Sequence, residues 1–257
     1  MQLNFKKDYV FRVESERSQN GELYARLHIG LFPKNKALTF STALRRSLLS
    51  DIPALVISDI IVFGVEHEFE TLPGIQEPFF DIIENLKKIV IAHISEGLEF
   101  FLSNPGEIKG FINFKGPGEI KAHDIILPSD FFCVTPDQHI ATVSHNGELI
   151  MGLKIILMDP NRVNQINKYG ITQLDNFKLS EVFLRKKTTT IKNQKVLNLN
   201  CVPNPVKKVT FFIQQLEKKQ NLEFIDLEIV TDGSITPKQA LRYSILKLTK
   251  FFSHYIF

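Results

Sequence analysis

Between residues 39 and 50 the chain changes period. The segment TFSTALRRSLLS places Phe40, Ala43, Leu44 and Leu48 at i, i+3, i+4 and i+8, one face of a helix, within a sequence otherwise dominated by strand signals. Two strands, 9–13 and 23–29, precede it, joined by a polar turn around Asn20-Gly21. After it come a strand at 55–65, a helix at about 78–92 with Phe79, Ile82, Ile83, Leu86 and Val90 on one side, and a β region from 97 to 160. A hairpin at 207–215 and 222–230 and a last helix at 237–253 close the chain. Helices so sparsely placed among strands do not make the strand–helix alternation of a parallel, doubly wound sheet. The order predicts an α+β fold with mostly antiparallel pairing.

Local signals sharpen the boundaries. Thr39 is the expected N-cap of the first helix and Pro53 follows its stop; Ser234 or Thr236 caps the last helix, with Pro237 in its first turn. In ATVSH-NG-ELIMGLKII, Asn146-Gly147 suits a two-residue type I′ turn, so these flanks are expected to pair as a hairpin. The segment KGPGEI (Lys115–Ile120) reads as a tight turn between strands. Residues 160–203 are polar with weak periodicity. Within them RKKTTTIKNQK, at 185–195, carries Arg185, Lys186, Lys187, Lys192 and Lys195 and no acid, and is expected to be a mobile loop.

Composition excludes several classes. Apolar stretches such as FFDII (Phe79–Ile83, broken by Asp81) and IVIA (Ile89–Ala92) are far short of the ~20 residues of a membrane span. The opening MQLNFKKDYVFRVE lacks the apolar core of a secretion signal. Cys133 and Cys201 are therefore expected to be buried free thiols. A net charge of +3 is too small to argue nucleic-acid binding by itself.

No catalytic pattern emerges. The 7 histidines show neither i, i+4 pairing nor a cysteine at zinc-like spacing. Phosphate-loop and nucleophile-elbow motifs are missing. Glu66/Glu68 and Asp226/Glu228 each share a strand face, but without the second element an acid/base pair needs. We expect no active site. Two features read as interfaces instead. Arg45-Arg46 lies opposite Leu44 and Leu48; composition alone makes it a solvated helix face, and the sharper reading is a fork for carboxylates of a partner. Leu241, Ile245, Leu248 and Phe252, extended by Phe251, Ile256 and Phe257, form a stripe that either packs on the chain's own sheet or forms a dimer seam.

Longer motifs add a resemblance. The pattern T-x-x-x-ALRR-x-LLS (Thr39, Ala43–Arg46, Leu48–Ser50), then HEF-x-T-x-PG-x-QE (His67–Phe69, Thr71, Pro73, Gly74, Gln76, Glu77) and NLK (Asn85–Lys87), resembles the opening block of bacterial-type RNA polymerase α subunits. KGPGEIKAHDIILP followed by HIATV resembles their middle region, especially the plastid form, and NPVKKV with LEIVTDGSITPKQAL resembles their closing block. The order holds over roughly 20–255. The resemblance implies a two-lobed amino-terminal α fold: a dimerisation lobe from 1–52 plus 204–257 and an inserted, mostly antiparallel β lobe at 53–203. With the chain ending at Phe257, the family's carboxy-terminal DNA-binding domain is expected to be absent.

It further implies a homodimer that serves in transcription as the platform for β and β′ subunits. Arg45 and Arg46 are then β-interface residues, and Lys87, Lys207 and Lys208 weaker large-subunit contacts. Phe40, Leu44, Leu48, Leu241, Ile245, Leu248 and Phe252 form the dimer interface. On this reading the chain belongs to a nucleotidyltransferase complex but carries no catalytic residue, metal or cofactor of its own. The polymerase metal ions sit on partner subunits, DNA is met only through the assembled enzyme, and no membrane is involved. A plastid is the expected location, a bacterial cytoplasm the alternative. The rival of another class is a stand-alone nucleic-acid-binding protein using 185–195, which has basic residues but none of the aromatic ones a stacking platform needs.

Overall fold

A computed structural model of the chain describes residues 11–17, 21–62, 65, 67–95, 106–160, 196–215 and 222–255. The described residues are α+β and divide into two compact units. One takes residues up to Ala54 and from Pro203 onward; the other lies within Leu55–Val202. The Asn20 turn position, the basic segment 185–195, Glu66, Ile256 and Phe257 lie outside the described residues. No described helix is long and apolar enough to cross a membrane.

The first unit is a four-stranded sheet under two helices. Strands β1 (Phe11–Arg17), β2 (Leu23–Pro33), β11 (Val206–Gln215) and β12 (Leu222–Thr231) lie in the order β1-β2-β12-β11, with antiparallel registers. Alternation decides which face is dry. Ala25, Ile229 and Val209 form one row across β2, β12 and β11, Leu27, Leu227 and Phe211 the next, and Ile29, Ile225 and Ile213 a third. All nine belong to one apolar core or pack against it, together with Leu44 and Leu48 of α1 (Lys36–Ser50) and Leu241 of α3 (Pro237–Ser253).

Both helices are tied at their starts. α1 begins three residues before the expected Thr39 cap. Asn35 takes a left-handed conformation, φ 67°, which asparagine tolerates, and its N–H donates to Glu223 Oε2 of β12 at 3.1 Å. A tertiary carboxylate therefore sets this boundary, where local sequence pointed to Thr39. α3 begins as read: Thr236 caps it, exchanging hydrogen bonds with Gln239, and Pro237 opens the first turn. At its other end Lys247 Nζ donates to the Asp51 carbonyl at 3.2 Å, fastening α3 to the stop of α1.

In the second unit a sheet runs in the order β5-β9-β3-β4-β7, with β10 (Val196–Asn198) on β3. Its strands are β3 (Ala54–Val62), β4 (Ile91–His93), β5 (Glu107–Lys115), β7 (Phe131–Cys133) and β9 (Glu148–Met158). A separate pair joins β6 (Gly118–Lys121) to β8 (His139–Val143). Two expectations fail here. The second helix, α2, spans only Phe79–Lys87: the β-branched run Ile89-Val90-Ile91 leaves it, and Ile91 begins β4, which pairs with both β3 and β7. The Asn146-Gly147 flanks do not form a hairpin, because β8 pairs with β6 and β9 with β5. Neither Asn146 nor Gly147 has a positive φ. Gly147 is required for crowding instead: a Cβ there would collide with the Gly74 carbonyl.

Candidate functional site

Arg45 projects from the exposed side of α1 towards β11. With Leu49 of the same helix and Lys207, Lys208, Val209, Thr210 and Phe211 of β11 it lines an open groove of about 300 Å³. Leu49 and Phe211 supply apolar surface, and the three cations supply charge. No acidic side chain lines the groove, and among the described residues none of the three cations makes a salt bridge. Asp232 feels the charge of Lys207. Burial raises its pKa, and hydrogen bonds from Ser234 together with the Lys207 charge offset part of that. A concave site with unanswered positive charge and apolar walls favours an anionic partner.

The groove unites what the sequence keeps apart. Arg45 was read together with Arg46, and Lys207 and Lys208 as separate, weaker contacts. Folding brings Arg45 to the two lysines, whereas Arg46, though exposed, does not line the groove. Lys87 belongs to the other unit, where its Nζ lies 2.7 Å from Glu84 Oε1. Leu49, Thr210 and Phe211 went unread, because nothing in a single sequence says that β11 passes beside α1.

The seven apolar residues read as a dimer seam fall into two groups. Leu44, Leu48 and Leu241 are fully buried in their own unit's core, with Phe40 and Leu248 packed against it. This corrects the stripe for Leu44, Leu48 and Leu241, which the unit's own core encloses, while Phe40 and Leu248 are only partly buried. Ile245 (38% exposed) and Phe252 (55%) remain open. Leu246, Phe251 and Tyr255 of the same chain end are exposed as well, as is Leu38 of α1. Phe251 packs its ring against Phe252 and Tyr255, at 5.5 and 5.3 Å between centroids. Leu246 was missed because it lies off the four-and-three spacing. Small residues mislead in the same way: Ala240 and Ser244 of α3 and Ser41 and Ser47 of α1 are buried, so the inward faces are wider than the large side chains suggest.

Two polar clusters prove to be ties within the fold. Asp226, only 2% exposed, accepts from Arg26 Nη2 at 3.1 Å and Gln214 Nε2 at 2.9 Å and is paired with His28 Nδ1, linking β2, β12 and β11. The hydrogen bond and charge of Asp226 raise the Arg26 pKa. In the second unit Glu77 of the PG-x-QE motif accepts from the Thr142 N–H (2.7 Å) and hydroxyl (2.8 Å) and meets His139 Nε2 at 3.0 Å. The other nitrogen of His139 faces Glu119 Oε1 at 2.8 Å. Burial alone would raise the Glu77 pKa; its hydrogen bonds outweigh this and hold it below the usual carboxylate value. Both thiols are free and half-buried, and burial pushes Cys133 up to about 11 and raises Cys201. Among the described residues no group of three His, Cys, Asp or Glu can hold a metal.

Among the described residues, one α+β unit thus carries both a cationic groove and a set of open apolar side chains on α3. Residues 57–157, within the second unit, match the RNA polymerase Rpb3/RpoA insert domain. Along most of its length the chain is 32% identical to a DNA-directed RNA polymerase subunit alpha of Chlorella vulgaris, covering 95% of this chain and 94% of that one. It is 31% identical to the subunit of the same name from Cyanidium caldarium (94% and 68%), and 30% identical to that of a Synechococcus strain (89% and 60%). The chain belongs to the DNA-directed RNA polymerase α-subunit family.

Proposed function

We propose that the chain dimerises through the open apolar face of α1 and α3 and that the dimer is the platform on which β-type and then β′-type polymerase subunits assemble. The groove carries this reading: Arg45, Lys207 and Lys208 converge where no acidic side chain lines the wall, as suits a surface that a partner completes. Arg46, beside the groove on α1, and Lys87, on α2, are assigned to further contact with the large subunits. The metal ions of nucleotidyl transfer, and the catalysis itself, belong to those partners. Relatives named from Chlorella vulgaris, Emiliania huxleyi and Chaetosphaeridium globosum support a plastid as the site of action.

Affinity purification of the tagged chain from its native cells tests the proposal. The expected result is recovery of two large polymerase subunits with a pair of copies of this chain. Recovery without large subunits overturns it.

A further inference from the structure

We propose that the groove is filled by strand addition: an extended, acidic segment of a large polymerase subunit pairs its backbone with the free edge of β11 and lays its carboxylates against Arg45, Lys207 and Lys208. This rests on the assembly role just proposed and adds the mode of recognition.

The geometry points to it in three ways. First, β11 ends its sheet, and among the described residues no strand lies on its far side. Along an antiparallel edge every second N–H and C=O faces outward, a template for another strand. At ten residues, Val206–Gln215, this edge is longer than the usual strand of about 5–6. Second, the groove follows that edge. Five consecutive residues of β11, from Lys207 to Phe211, line it, and α1 contributes only Arg45 and Leu49. A site along one strand suits an extended occupant.

Third, the charge selects the occupant. Lysines and a bulge are what keep a bare edge from pairing with itself. Here Lys207 and Lys208 stand at the start of β11, where its register against β12 shifts between Val206 and Lys208. Two copies of this edge repel, and so does any basic strand. An acidic strand gains the edge hydrogen bonds and three charge-assisted contacts together. A nucleic acid would satisfy the cations but offers no peptide backbone to the edge.

Residue-resolved hydrogen–deuterium exchange tests the proposal on the whole chain, free and in the assembled polymerase. About every second amide between Lys207 and Gln215 should slow by at least about tenfold on assembly, while β12 amides, already paired on both sides, change little. Lys208→Glu should lower recovery of the large subunits and leave β12 exchange as in the parent, which rules out misfolding. Unchanged β11 amides in a polymerase that does assemble overturn strand addition and leave the assembly role standing. Protection of the free chain by a single-stranded oligonucleotide, equal to that in the polymerase, overturns the choice of occupant. If no large subunit is recovered at all, both readings fall.

Discussion

The two units treat charge in opposite ways. In the Leu55–Val202 unit, acids and bases answer one another across strands. Glu77 holds Thr142 and His139, His139 reaches Glu119, and Lys154 Nζ lies 2.6 Å from Glu107 and 3.8 Å from Asp59. In the other unit Asp226 is tied in the same manner, but Arg45, Lys207 and Lys208 are left with no carboxylate in their groove. Paired charges fasten elements together. Unpaired ones, placed beside apolar walls, are what the proposed assembly surface calls for. The PG-x-QE motif therefore belongs with the fasteners and the ALRR and NPVKK motifs with the surface, although all three stand out equally in the sequence.

The contrast can be broken first on the helices. Ile245→Lys should abolish the dimer, because burying a lone charge at a seam costs about 3–5 kcal/mol, while the unit itself stays folded with the residue already 38% exposed. Leu44→Ala should do the reverse, lowering unfolding stability by about 2–5 kcal/mol. Light scattering at micromolar concentration and urea unfolding separate the two; a dimer that survives Ile245→Lys refutes the assigned seam.

Removing a fastener comes next. Glu77→Ala leaves an N–H, a hydroxyl and an imidazole without their acceptor, and should cost about 2–3 kcal/mol in denaturant unfolding. The same carboxylate sets a pH dependence. Its folded pKa lies below the unfolded value, so its contribution is full above about pH 4.5 and is lost as pH falls through the folded pKa. Glu77→Gln should flatten stability against pH in that acid range, and an unchanged slope would show that Glu77 is not the group responsible.

A smaller effect of opposite sign is expected at Ser47. Its hydroxyl is buried without a partner, so Ser47→Ala removes an unpaired polar group and improves helix propensity. A gain of about 0.5–1 kcal/mol in the unfolding midpoint is expected, and a loss of stability would mean that the hydroxyl has a partner.

How much of this was legible in the sequence follows from the range of each signal. The hairpin of β11 and β12 and the capped start of α3 were readable, since alternation and Thr236-Pro237 act locally. α2 was read too long because Ile89 and Val90 continue an apolar period that only the pairing of Ile91 with β3 and β7 interrupts. Asn146-Gly147 looked like a hairpin because turn chemistry is local, whereas the partners of β8 and β9 are distant strands. The apolar stripe was overdrawn because large side chains draw attention to a face that Ala240 and Ser244 help to define. Of the site, Arg45, Lys207 and Lys208 could each be named, but their meeting depends on α1 packing beside β11, which no motif records.

The central claim is that the groove cations serve a partner and not the fold. The direct measurement is co-expression of Arg45→Ala with the β-type subunit, alongside urea unfolding of the variant. Unfolding stability should match the parent within about 0.5 kcal/mol, the dimer should persist, and the β-type subunit should be retained about 30-fold or more less strongly, the lower end of the 2–5 kcal/mol for losing one partner of a desolvated charge pair. Equal retention of the β-type subunit, or a destabilised or monomeric variant, would contradict the account.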